Sequence, residues 1–163
     1  MAINIAITTE SDLQAFAAVL APTVTPPMVI GLNGPMGSGK TTCMRYVGEA
    51  LGISGIHSPT YALIQRYTTP TLTVIHSDLY RLDTDMDISL LDIPSYYGPQ
   101  TLVCIEWLEK TTQITADITL TFVVSSPDAR TITITGDPHR LDSIFTALNN
   151  ANAYQFGTKK LGG

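Results

Sequence analysis

The stretch MVIGLNGPMGSGKTT, residues 28–42, decides how the rest of the chain reads. Met28 to Leu32 form an apolar run of strand length, suited to a central strand covered on both faces. Gly34 to Thr41 then match the pattern G-x-x-x-x-G-K-[ST]. Glycines let such a backbone curl and come close to a bulky anion. Several N–H groups of Gly34, Pro35, Met36, Gly37, Ser38 and Gly39 (proline excepted) can then converge on phosphate oxygens as an anion nest. The helix opening near Thr41 adds the partial positive charge of its N-terminus. Lys40 would neutralise the outer phosphates, and the Thr41 hydroxyl is placed to ligate magnesium. The Thr42 hydroxyl either contacts an inner phosphate or caps the helix.

Working outward, Ser11-Asp12-Leu13-Gln14 reads as a capping box, and Leu13, Phe16, Ala17 and Leu20 share one helical face. Pro22, Pro26 and Pro27 end that helix. After the loop, Met44, Val47 and Leu51 form the inner stripe of a helix from about Thr41, and Gly52 terminates it. Tyr61 to Tyr67, Leu72 to His76 and Thr101 to Glu106 read as strands, and the acidic stretch Asp83 to Ile93 as at most a short surface helix. Ile118, Leu120, Phe122 and Val124 alternate, as do Ile132 and Ile134 beyond a Ser-Pro-Asp turn, which signals a hairpin. A last helix covers about Pro138 to Asn149.

The expected fold is α/β: a three-layer P-loop NTPase with a mostly parallel central sheet and antiparallel edge strands. Residues 1–150 would make one domain, and Ala151 to Gly163, which lacks a sustained pattern, a flexible tail.

Composition narrows the function. The 163 residues are 44% apolar and carry a formal net charge of −5, which disfavours strong stand-alone nucleic-acid binding. Cys43 and Cys104 sit far apart in apolar stretches, as small buried hydrophobes of a reducing cytosol do. No apolar run reaches the ~20 residues of a membrane span, and no basic segment precedes an apolar run as in a signal peptide.

A magnesium ion at phosphates needs carboxylates nearby. Asp78 and Glu106 both end apolar strands, where ligands of open α/β sheets collect. One could hold the metal while the other orients or deprotonates water; alternatively, each merely caps the next segment. His76 is either a proton carrier or a structural residue. Trp107 is either core or a lid, and Arg81 and Arg130 either reach phosphate or partner or stand in solvent.

Four ordered segments resemble the TsaE (YjeE) family: GPMGSGKTT at 34–42, SPTYALI at 58–64, HSDLYRL at 76–82 and IEW at 105–107. Members are small bacterial ATPases required to make threonylcarbamoyladenosine in tRNA. The resemblance spans about residues 5 to 135. It implies ATP and Mg2+ as cofactors, and TsaD and TsaB proteins as partners, with tRNA met only through that complex in the cytoplasm. It implies that Gly34 to Thr42 and Arg130 hold nucleotide, that Thr41, Asp78 and Glu106 hold metal, and that Lys40, Asp78 and Glu106 are catalytic. Ser58, Pro59 and Thr60 match the family's switch segment. His76, Tyr80, Arg81 and Trp107 match positions of support or partner contact.

Departures exist. Pro35 and Met36 stand where the family usually has an acidic residue and leucine, and Asp83 to Leu91 matches its helix only loosely. The rival readings are a small-molecule kinase and a non-hydrolysing nucleotide switch. Five scattered arginines (45, 66, 81, 130, 140) give no arginine-rich lid of the kinase kind. With no arginine beside the loop, hydrolysis is expected to be slow alone and faster in the complex.

Overall fold

The computed structural model describes residues 1–59 and 62–151, and the backbone of 159–161. The strand before the loop, β2 (Met28–Asn33, after β1 at Ala2–Ile7), lies in the middle of the sheet, as its unbroken apolar run demands. In chain order the remaining elements are α1 (Glu10–Leu20), α2 (Lys40–Ala50), β3 (Ile64–Thr68), β4 (Thr73–Asp78), α3 (Asp85–Ser89), β5 (Thr101–Glu106), β6 (Ile118–Val124), β7 (Arg130–Gly136), α4 (Pro138–Asn150) and β8 (Lys159–Leu161). They form one sheet in the order β3-β4-β5-β2-β6-β7-β1-β8.

The four strands β4, β5, β2 and β6 run parallel, and antiparallel strands extend the sheet on both sides. Burial explains the division. Every residue of β5 is buried, because helices and turns cover both of its faces. Leu102 and Cys104 face one core, with α1, α2 and α4; Val103 and Ile105 face a smaller one, with Ile88 of α3 and Leu108. The antiparallel strands instead alternate. Ile3, Ile5, Ile7, Ile132 and Ile134 pack into the larger core while their neighbours are polar or partly exposed.

Three local readings are revised. The capping box lies two residues earlier than Ser11: Thr9 is the N-cap, its hydroxyl accepts from Asp12 N at 3.0 Å, and Asp12 Oδ2 accepts from Thr9 N at 2.9 Å. Asp12 also accepts from the Thr8 N–H and hydroxyl, which hold its carboxyl below the usual range and favour this register over Ser11–Gln14. Strand β1, which the sequence reading passed over, pairs with β7 in register Ile3↔Ile134 and Ile5↔Ile132. In the segment expected to be a flexible tail, Lys159–Leu161 pairs antiparallel with β1; the rest of that segment beyond Ala151 lies outside the described residues.

Cys43 and Cys104 are free and fully buried; burial, helped by the Glu106 charge, pushes the Cys43 thiol up to about 12. Among the described residues no helix is long and apolar enough to cross a membrane.

The cap assignment makes a comparative prediction. Thr9→Ala should lower unfolding free energy by about 1 kcal/mol in urea titrations. Ser11→Ala, at an exposed position outside the cap, should stay within about 0.5 kcal/mol of the parent.

Candidate functional site

The loop leaves β2 and enters α2 through Gly39, whose φ of 102° lies in the left-handed region. That conformation disfavours any residue with a side chain, and a Cβ there would also come within 2.9 Å of Arg130 Nη1, which would have to move aside. Gly39 is the N-cap of α2 and no side chain caps that terminus, which leaves its N–H groups free for an anion. Thr42 makes no side-chain hydrogen bond among the described residues and lines the adjoining cleft, so it is not the cap.

Lys40 is only 5% exposed. Its ammonium donates to the Gly34 and Pro35 carbonyls at 2.7 and 2.9 Å and lies 4.3 Å from the centre of the Trp107 ring. Burial lowers its pKa, against the opposing charges of Glu106, Glu109 and Asp78. The loop is pinned at its start too, where Gly34 N donates to Glu109 Oε1 at 3.1 Å.

Register brings the acids together, because Asp78 is the direct neighbour of Glu106 where β4 and β5 run parallel. Glu106 Oε1 accepts from the Thr41 hydroxyl at 2.6 Å and from His76 Nε2 at 2.8 Å, which donates because a carboxylate oxygen only accepts. Burial pushes the Glu106 carboxyl up. The His76 hydrogen bond and charge, the Thr41 hydroxyl and the Lys40 ammonium together outweigh that, so the group lies below its ordinary value of 4.5. Asp78 is less enclosed: its Oδ2 accepts from the Ser58 hydroxyl at 3.2 Å and its Oδ1 from Tyr80 N at 2.9 Å.

Directly after Glu106, Trp107 adopts φ 62°, ψ 37°, a left-handed conformation rare for a bulky residue. Its N–H reaches Leu32 O at 2.8 Å, which ties the end of β5 to the end of β2. The turn aims the indole back over Lys40 and against Tyr80, ring centres 5.0 Å apart. Strain at a functional site of this kind costs on the order of 1–3 kcal/mol.

These groups surround a cleft of about 460 Å³. Met36 to Thr42, Ser58, Pro59, Asp78, Tyr80, Arg81, Glu106, Trp107 and Arg130 all line it. Gly34 and Pro35 lie at the loop's root and are not among the lining residues. His76 is wholly buried behind Glu106, where it orients that carboxylate. Arg130, at the start of β7, donates to Ser38 O at 3.3 Å, so it sits against the loop and not free in solvent. Thr60 lies outside the described residues, as does Tyr61 of the expected strand, which begins at Ile64. Sequence reasoning missed Leu63 in the lining and Glu109 beneath the loop. An aliphatic and an acid in a turn carry no local signal of either role.

The donor set suits a polyphosphate with a hard cation. Ser38 Oγ and Arg130 Nε are buried without a partner among the described residues, beside helix-terminal N–H groups and a buried lysine. Asp78, Glu106 and Thr41 offer oxygen ligands, yet among the described residues no three His, Cys, Asp or Glu gather to hold a metal by themselves. A magnesium ion would keep waters and take phosphate oxygens for its remaining ligands.

A parallel-centred sheet with this loop between a central strand and a helix defines the P-loop NTPase class. More particularly, a family model described as "Threonylcarbamoyl adenosine biosynthesis protein TsaE" matches residues 7–132, and the chain belongs to the TsaE family. A Haemophilus influenzae protein named tRNA threonylcarbamoyladenosine biosynthesis protein TsaE is 33% identical over 126 residues, 76% of this chain and 79% of its own. A Bacillus subtilis protein of the same name is 30% identical over 141 residues, 85% of this chain and 88% of its own. The crystal structure of Bacillus subtilis YdiB superposes with a TM-score of 0.74 at 23% identity, over 93% of this chain and 97% of that one, a likeness of fold.

The Glu106 environment has a pH signature. A carboxyl held below its unfolded value contributes stability above that value and loses it as pH falls through the folded one. Glu106→Gln removes this contribution. Between neutral pH and a pH below the ordinary carboxylate value of 4.5, the variant should lose less stability than the parent in denaturant titrations.

Proposed function

We propose that this chain binds and hydrolyses ATP with magnesium, and that its nucleotide cycle drives turnover of a TsaB–TsaD complex in tRNA threonylcarbamoyladenosine formation. One observation carries the nucleotide reading: Glu106, Thr41 and the buried Lys40 converge at the N-terminus of α2, in a cleft that the loop residues Met36 to Gly39 also line. Membership of the TsaE family supports the pathway, and the names of the relatives refer to the same modification.

The loop's N–H groups and Lys40 bind and orient the phosphates. A bound magnesium ion would supply positive charge to offset that of the phosphates. Thr41, Asp78 and Glu106 would hold that ion. Glu106, kept ionised by His76 and Thr41, can also accept a proton from water at Oε1 or Oε2. Ser58, whose hydroxyl donates to Asp78, and Pro59 line the cleft and would respond to the terminal phosphate. Tyr80, Arg81 and Trp107 rim the same cleft and can report its state to a partner. The acidic net charge of −5 leaves the grip on tRNA to other subunits, and two reduced, buried thiols suit the cytoplasm.

Calorimetry and a phosphate-release assay test this. Lys40→Ala should abolish ATP-binding heat. Glu106→Gln should still bind ATP while hydrolysis falls by roughly 10²-fold or more. Wild-type turnover should be slow alone and rise when TsaB–TsaD and tRNA are added; equal rates with and without them would count against the partner role.

A further inference from the structure

We propose that a second pocket, at the opposite ends of the strands that carry the phosphate loop, binds a small primary ammonium compound with a short apolar body. The pocket has a volume of about 240 Å³. It opens where β2 and β5 begin and just before β6. Met28, Val29 and Val103 supply apolar wall; Tyr97, Thr101 and Asp117 supply the polar groups.

Each polar group has unused capacity. Thr101 is only 9% exposed, and its hydroxyl makes no hydrogen bond among the described residues. Asp117 is fixed from three sides. Its Oδ2 accepts from Val29 N at 2.6 Å, its own N–H donates to Val29 O at 2.8 Å, and its carbonyl accepts from Asp137 N at 2.8 Å. Oδ1 has no protein hydrogen bond among the described residues. Tyr97, 45% exposed, stands at the pocket's mouth, and its phenol has no protein hydrogen bond among the described residues; burial first, then the Asp117 charge, raises its pKa.

Charge and stoichiometry select the ligand. The lining contains a carboxylate and no lysine or arginine, so an anion is repelled and a cation attracted. Asp117 Oδ1, the Tyr97 oxygen and the Thr101 hydroxyl are three acceptors in one cavity, and a primary ammonium carries three N–H donors. The volume lies below the roughly 300–1,000 Å³ of pockets for drug-sized ligands, which limits the apolar body to about the size of one ring. The pocket lies about 17 Å from the phosphate loop, five residues along β2 at ~3.3 Å each. Its occupancy is therefore separable from the nucleotide site.

Amide chemical shifts of the full-length ¹⁵N-labelled chain, titrated with benzylamine as probe, test the proposal. Saturable shifts should appear at Val29, Gly98, Thr101, Val103 and Asp117. Benzyl alcohol, the neutral analogue, should bind at least about fivefold more weakly. Asp117→Asn keeps an acceptor for Val29 N but removes the charge, and should weaken benzylamine by a similar factor. Thr101→Val should also weaken it, and neither variant should alter the nucleotide-hydrolysis rate. Absence of saturable shifts at these residues, or equal affinity for benzylamine and benzyl alcohol, or an Asp117→Asn variant that binds benzylamine as the parent does, would overturn the proposal.

Discussion

A carboxylate at 3% exposure must be compensated, and the way Glu106 is compensated organises the molecule. Its partners come from two other elements: His76 from β4 and Thr41 from the first turn of α2. These contacts fix the β4–β5 register, which sets Asp78 beside Glu106. They also pull the start of α2 down to the sheet, so the loop between β2 and α2 must curl, and glycine at position 39 permits it. The same carboxylate draws the Lys40 ammonium into a buried position.

Trp107 links this constraint to the surface. Its left-handed backbone ends β5 abruptly, ties it to Leu32, and turns the ring over Lys40. Lys40 therefore lies between loop carbonyls and an aromatic face, a lodging that a polyphosphate can outbid because full charges attract an ammonium more strongly than carbonyl dipoles do. The two faces of the sheet are unequal. Three long helices brace the loop side, while the other carries one short helix and turns. Tyr80 and Arg81 stand exposed at the rim of the cleft.

Much of this was legible in the chain. An apolar run followed by Gly34 to Thr41 marks a central strand, loop and helix, because each residue type answers a local physical demand. Strand β5 was legible to the residue, since five apolar or small residues run up to an acid. Asp78 and Glu106 could be suspected from their strand ends, but their adjacency needed the register. His76 behind Glu106 was not legible, because a histidine in a buried strand has the same local pattern whether it supports a carboxylate or only packs. Strand β1 carried its signal openly, in Ile3, Ile5 and Ile7 alternating with Asn4 and Ala6. Lys159–Leu161 carried none; pairing with β1 alone makes it a strand. Thr9 and Ser11 are both competent caps, and the extra hydrogen bonds from Thr8 to Asp12 decided between them.

The central claim is that the Glu106–Thr41–Lys40 cluster is a polyphosphate and magnesium site. A crystal structure of the chain with a non-hydrolysable ATP analogue and magnesium tests it most directly. The account predicts phosphates in the curl of Gly34 to Thr41, with Lys40 Nζ moved from the Gly34 and Pro35 carbonyls to the outer phosphates and the Thr41 hydroxyl turned from Glu106 to the cation. Nucleotide bound elsewhere, with Lys40 still on its own loop and Thr41 still on Glu106, would contradict it.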